Sequence, residues 1–197
     1  MDELVKQAIA KWPDVPHCYG WLGLDARGRW RMRDERAQAL GLPGEAIVHG
    51  ALLGFIARNY GHDERGCWFF QNGPQRVYLQ LEAAPYIART DPGLGLVLHT
   101  GAPLGPLDEA LLCPGGELVL RSGDVVAQLD DRDAAQTLAA LELDDGGGVD
   151  DEALMAWLDG GAGNLYLRHQ GRALALQRLA HDAVAARFGF ERSPSPP

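Results

Sequence analysis

Residues 66–89 read GCWFFQNGPQRVYLQLEAAPYIAR, and this stretch constrains the fold more than any other. Successive side chains of a strand point to opposite faces, so Trp68 and Phe70 share one face while Cys67 and Phe69 share the other. Both sets are apolar, which predicts a central strand. Beyond the turn, Val77, Leu79 and Leu81 alternate with Tyr78, Gln80 and Glu82, the pattern of a strand with one wetter face. Asn72-Gly73 suits a two-residue type I′ turn, but Pro74 follows and lacks the N–H that would close it. The expectation is therefore a longer loop of about 4–5 residues. Ala83-Ala84-Pro85-Tyr86 then makes a tight corner.

Residues 163–187 (GNLYLRHQGRALALQRLAHDAVAAR) repeat this pattern. Upstream, Gly28, Trp30, Met32 and Arg33 match Gly116, Leu118, Leu120 and Arg121. The helical stripe Ala51–Ile56 matches Ala153–Leu158. Such order predicts an α+β protein of two similar antiparallel hairpin-helix-hairpin units packed as one body, with short helices around the sheets. The expected limits are an N-terminal helix and lead-in over 1–16, a first repeat over 17–92, and a second over 93–190. The second carries an extra strand and helix near 122–142. Within the first repeat, strands are expected at 18–24 and 29–33, with Trp30 and Met32 facing the core. The tail ERSPSPP, residues 191–197, has the composition of a disordered segment.

Charge excludes one class of partner. Residues 1–92 hold 11 Lys+Arg and 11 Asp+Glu, so the net −9 resides entirely in the second half. Phosphate backbones need clustered cations, and nucleic acid is not an expected partner. Membranes are not expected either, because no apolar run approaches the ~20 residues of a span and the start, Met1-Asp2-Glu3, is unlike a secretory leader. Three cysteines, Cys18, Cys67 and Cys113, with no CxxC pair, fit a reduced, cytoplasmic compartment.

Few residues carry recognisable chemistry. Arg27, Arg29, Arg31 and Arg33 alternate along one strand and could hold a phosphate or carboxylate in bidentate fashion. The plainer alternative is a solvated strand face paired with Glu82 or Asp34. The second repeat has Glu117 and Val119 where the first has Arg29 and Arg31, and Leu165 where the first has Trp68. A small anionic ligand is therefore expected on the first repeat, at Arg29, Arg31, Arg33, Trp68 and Arg76. His17, Cys18, His49, His62, Cys67 and His99 lack metal-site spacing, so neither metal nor other cofactor is expected. Asp130–Asp159 holds ten acids, which suit helix starts more than a cation site.

HCYGWLGLDARGRWRMRD, GCWFFQNGPQRVYLQLEAAPYIAR and VVAQLDDRD resemble an uncharacterised proteobacterial family, a domain of unknown function. The order of a DxxGxW hairpin, an LxxFI helix, an aromatic strand, a hairpin and an APY corner is similar to a second bacterial family of unknown function. That second resemblance implies two similar motifs and a part in signal transduction; neither supplies a catalytic residue. The functional expectation is a non-catalytic module that binds a small ligand or a protein partner. Two alternatives stand beside it: an enzyme using His and Cys residues in an inter-repeat cleft, and a purely structural subunit.

Overall fold

In a computed structural model, which describes residues 1–196, the chain divides into two units. The first runs Met1–Pro85 and takes in the C-terminal residues from Phe188; the second is Tyr86–Arg187. The protein is α+β, with short helices and two mainly antiparallel sheets. The boundary at Pro85 falls short of the expected 92, because Tyr86–Asp91 already pairs with strands of the second unit.

Unit 1 contains α1 (Glu3–Lys11), β1 (Cys18–Leu24), β2 (Trp30–Met32), α2 (Glu35–Ala39), β3 (Glu45–Ala46), α3 (Gly50–Arg58), β4 (Tyr60–His62), β5 (Trp68–Asn72) and β6 (Gln75–Leu81). Its strands lie in the order β3-β2-β1-β6-β5-β4. Neighbours are antiparallel except β1 and β6, which run parallel.

Unit 2 contains β7 (Tyr86–Asp91), β8 (Gly95–Leu98), β9 (Glu109–Leu112), β10 (Leu118–Ser122), β11 (Val125–Leu129), α4 (Asp131–Leu138), β12 (Leu141–Leu143), α5 (Asp151–Leu158), β13 (Leu165–His169), β14 (Arg172–Arg178) and α6 (Ala183–Phe188). Its sheet order is β12-β13-β14-β9-β10-β11-β7-β8. Six of these strands, β11-β10-β9-β14-β13-β12, repeat the order of unit 1, again with one parallel pair, β9 and β14.

This order gives a different correspondence from the one expected. Val125–Leu129 stands where β3 stands, and α4 occupies the place of α3 between the third and fourth strands. Helix α5, between β12 and β13, has no counterpart between β4 and β5. Its apolar stripe resembles that of α3 because both helices bury one face, and such a stripe does not say which strands flank it.

One turn recurs four times. In Asp25–Arg29, Asp63–Cys67, Cys113–Glu117 and Leu143–Gly147, the first residue's N–H donates to the fifth residue's carbonyl, and the fourth residue's N–H donates back to the first carbonyl. The fourth residue is always glycine, with φ of 74°, 74°, 90° and 80° at Gly28, Gly66, Gly116 and Gly146. A β-carbon is disfavoured at such angles, so the glycines are required by the turn. The β5–β6 turn corrects the expected long loop. Asn72 pairs directly with Gln75, leaving Gly73-Pro74 as a two-residue corner. Gly73 has φ 57° and proline fixes φ near −65°, which is the type II′ pattern. The closing N–H belongs to Gln75, so the N–H that Pro74 lacks is not needed.

Both sheets curl. In unit 1, β2 and β4 are four strand spacings apart, about 19 Å in a flat sheet, yet the rings of Trp30 and Tyr60 lie 5.2 Å apart, edge to face. In unit 2, β13 and β8 are six spacings apart, about 29 Å if flat. A β-carbon built on Gly95 would nevertheless lie 3.9 Å from Cε1 of His169. The inner face of this curl carries Leu98, Leu112, Leu118, Leu129, Leu165 and Leu176 in one continuous core.

The helices start where the sequence supplies caps. Asp34, Asp130 and Asp150 accept main-chain N–H bonds from Ala37, Arg132 and Ala153 at the starts of α2, α4 and α5. Helix α1 buries Val5, while Leu4 and the C-cap residue Trp12 are exposed. The expected disordered tail is instead paired: Glu191 bridges to Cys67, the Leu81 N–H donates to the Arg192 carbonyl, and Pro194 is buried. Pro197 lies outside the described residues.

Candidate functional site

Strand pairing assigns the faces of the unit 1 sheet. Gly23 lies opposite Arg31 and beside Gln80, and Phe69 lies opposite Tyr78, so these five share a face with Arg76. Leu24, Trp30, Phe70 and Trp68 lie on the other face with Tyr60 and His62. The five expected site residues are therefore divided. Arg31 and Arg33 line one cleft, and Arg29 borders it through Asp25. Arg76 is further along the same face, with its guanidinium 4.5 Å from the Phe69 ring centroid. Trp68 belongs to the opposite face, where it packs on Tyr60 and His62 and is buried. Met32, expected in the core, is exposed.

The cleft has a volume of about 400 Å³ and is lined by Gly23, Asp25, Arg31, Arg33, Leu42, Pro43, Gln80 and Glu82, with the ends of β1 and β6. Gly23 forms part of its wall: a β-carbon there would meet Arg33 Cδ at 3.5 Å and Arg31 Cβ at 3.8 Å. Asp25 organises the positive side. Its Oδ1 accepts the N–H groups of Arg27 and Arg29 at 3.0 and 2.8 Å, and its Oδ2 accepts Nε of Arg29 and of Arg31, each at 2.8 Å. Burial pushes this carboxyl up, but the Arg29 N–H and the two guanidinium groups outweigh it and hold the group below the usual carboxylate range. Asp25 thus stays ionised and neutralises charge on the arginines beside it.

Arg33 is different. Its Nε donates to the Leu42 carbonyl at 3.1 Å and its NH1 to the Gly20 carbonyl at 3.3 Å. No carboxylate is among its partners in the described residues. A guanidinium has five donors in a planar fork, so Arg33 retains donors and a full positive charge at the cleft. Across from it, Glu82 accepts the Ala26 N–H through one oxygen, at 3.1 Å. The site can therefore offer a cation, a carboxylate and the Gln80 amide to one small molecule.

Sequence reasoning missed Asp25. The signal was present, because Asp25-Ala26-Arg27-Gly28 and Asp63-Glu64-Arg65-Gly66 are the same DxRG turn. Asp63 accepts the N–H groups of Arg65 and Cys67 just as Asp25 accepts those of Arg27 and Arg29, and its other oxygen takes the Tyr78 hydroxyl at 3.0 Å. In both turns the aspartate closes its own corner, a local bond that leaves one oxygen for a tertiary partner.

Cys67 and His62 do not form a nucleophile pair. Cys67 is buried, with burial and the neighbouring Asp63 carboxylate pushing its thiol up, whereas nucleophilic cysteines are held low. The His62 ring lies tilted against Trp68, on the face away from Phe69, Tyr78 and the cluster that contains Cys67. Among the described residues, no three His, Cys, Asp or Glu side chains gather as a metal site would require. Among the same residues, no helix is long and apolar enough to cross a membrane.

No curated protein matches the chain. Two solved structures are similar to it. One is a DUF1285 family protein from Silicibacter pomeroyi DSS-3, 14% identical, covering 90% of this chain and 96% of that one, with a TM-score of 0.49. The other is a DUF1285 family protein from Shewanella baltica OS155, 15% identical, covering 59% of this chain and 88% of that one, with a TM-score of 0.40. The family model DUF2944, described as "Protein of unknown function (DUF2946)", matches residues 1–195, and the chain belongs to that family.

Proposed function

We propose that the protein is a non-catalytic binding module whose small anionic ligand occupies the cleft of unit 1. The observation that carries this reading is the state of Arg33. Its guanidinium faces a 400 Å³ cleft with two main-chain carbonyls as partners, while Asp25 has already neutralised its neighbours. Glu82 and Gln80 on the same cleft favour a ligand that also carries a donor, such as a hydroxyl or ammonium group. The raised Cys67 thiol argues against Cys67 as a nucleophile.

Duplication of one ancestral unit belongs to the same proposal, supported by the shared six-strand order and the parallel pair at the centre of each six-strand set. A cytoplasmic setting is supported by three free cysteines. A role in signalling would follow from ligand occupancy of unit 1.

Calorimetric titration with a panel of carboxylates, phosphate esters and amino acids tests the reading. Arg33→Ala should weaken any ligand found by at least tenfold, since a charge-assisted bond contributes about 1.5–3 kcal/mol. Arg33→Lys should recover part of that loss. Equal affinity in wild type and Arg33→Ala would remove the cleft from consideration.

A further inference from the structure

The residues from Phe188 onward complete the sheet of unit 1 from a distance in sequence, because the whole of unit 2 lies between them and β6. Pairing of β5 with β6 stops at Phe69 and Tyr78, although β6 runs on to Leu81. The gap beyond that pair is filled by Glu191 and Arg192. Glu191 bridges Cys67 in parallel and donates its N–H to the Gly66 carbonyl at 3.0 Å, and the Arg192 carbonyl accepts the Leu81 N–H at 2.9 Å. From this we infer that the gap is a strand-addition site for an extended peptide, and that its partner is the same segment of a second copy of the chain, exchanged reciprocally in a dimer. The inference does not depend on a ligand in the cleft.

The slot is shaped for main chain. A β-carbon on Gly66 would overlap the Gly189 carbonyl oxygen and lie 3.1 Å from Cα of Phe190, so only glycine leaves the segment room. At Gly146, in the corresponding turn of unit 2, nothing lies within 4 Å of that position. The turn needs its glycine in both units, and in unit 1 the same glycine also admits a strand. Two side chains fix the register: Phe190 and Pro194 are buried, whereas Glu191, Ser193 and Ser195 are exposed. Main-chain bonds for affinity and spaced side-chain anchors for specificity are the two parts of strand-adding recognition.

The joint before the segment allows exchange. Gly189 follows α6 directly, is exposed, has φ 68° and has nothing within 4 Å of a β-carbon position, so it can turn the segment toward its own slot or away from it. An empty slot would leave the Gly66 carbonyl and the Leu81 N–H without these bonds and would uncover Phe190. An identical segment from a second copy cancels those costs, because every bond made within the chain is made again between chains. The tethered segment competes at an effective concentration of millimolar order, so exchange grows with protein concentration and with anything that loosens the resident segment.

The test uses the full chain and a fluorescein-labelled peptide of residues 188–196. Glu191→Pro in the full chain deletes the N–H bonded to Gly66 at a position whose side chain is exposed, and so loosens the resident segment without touching the core. This variant should bind the peptide saturably and at least tenfold tighter than wild type, whose own segment competes. A peptide that itself carries Glu191→Pro should bind at least tenfold weaker than the unaltered one. As peptide is added, the amide signals of Gly66, Cys67 and Leu81 should return toward their wild-type positions. Phe190→Ala, which withdraws an anchor instead of a bond, should also take up the peptide. Deletion of Gly189 removes the slack of the joint and should shift the chain toward dimer in sedimentation, relative to wild type at the same concentration. No saturable binding to either variant, equal affinity for the two peptides, or a Gly189 deletion no more dimeric than wild type would each overturn the inference.

Discussion

Units 1 and 2 share six strands in one order and differ in what fills and flanks them. Unit 1 closes its curl with Trp30, Tyr60 and Trp68, whereas unit 2 does so with leucines. On the opposite face, Gly23 and Arg31 of unit 1 correspond to Leu111 and Val119 of unit 2, both fully buried. At the conserved-geometry turn, Asp25 corresponds to Cys113, also buried. One frame therefore supports a charged cleft in one unit and an apolar wall in the other. Strand order depends on the backbone and the alternation of apolar positions, while chemistry depends on three or four side chains placed on it.

The largest expected difference lies at Asp25 and Cys113. Asp25→Ala removes four hydrogen bonds and leaves Arg31, 17% exposed, without its counter-charge, so it should cost about 3–5 kcal/mol. Cys113→Ala removes one buried sulfur and should cost about 1–2 kcal/mol. Urea denaturation of the two variants measures the gap, and comparable losses would mean that Asp25 does not organise unit 1.

Acid should separate the units next. His99 is buried in unit 2, its Nδ1 accepts the Ile87 N–H, and burial lowers its pKa to about 4. The unfolded chain, with a histidine pKa near 6.5, takes up the proton first. Stability is thus fully present above about pH 6.5 and is lost as pH falls to about 4, by roughly 3 kcal/mol. In unit 1, Asp25 and Asp63 are held below their ordinary value, so their contribution persists above about pH 4 and fades only as pH falls below it. Amide exchange followed from pH 7 to 4.5 should show opening of unit 2 before unit 1. Replacement of His99 by Gln should flatten the dependence in unit 2.

Exchange of core residues should give a smaller effect. Trp30→Leu gives unit 1 the residue of unit 2 and should cost about 2 kcal/mol, less than the ~3–5 of a Trp→Ala change. The near-ultraviolet circular dichroism of the Trp30–Tyr60 contact should fall with it. Smallest of all, and equal in the two units, are the helix caps: Asp34→Ala and Asp150→Ala should each cost about 1 kcal/mol by thermal denaturation.

Much of this frame was legible. Alternation over 68–70 and 77–81 located β5 and β6, and the offset of 97 residues between Trp68 and Leu165 is the one the register keeps. Errors arose where local pattern underdetermines partners. The stripes of α3 and α5 look alike, but only pairing shows that α4 holds the equivalent place. Pro74 occupies the second corner position, where its missing N–H is not needed. The arginines of the stripe look equivalent in sequence, whereas Asp25, which begins the preceding turn, commits Arg29 and Arg31 and leaves Arg33. Burial of Trp68 on the other face follows from strand parity, but its separation from the cleft needed the register of β1 on β6.

The most direct measurement is a map of amide shifts during titration with the best-binding anion from the panel, in wild type and Arg33→Ala. The account predicts shifts at Gly23, Arg33, Leu42, Gln80 and Glu82, no counterpart at Leu111, Val119 or Gln177, and loss of the response in Arg33→Ala. Equal shifts in unit 2, or a response that survives Arg33→Ala, would contradict it.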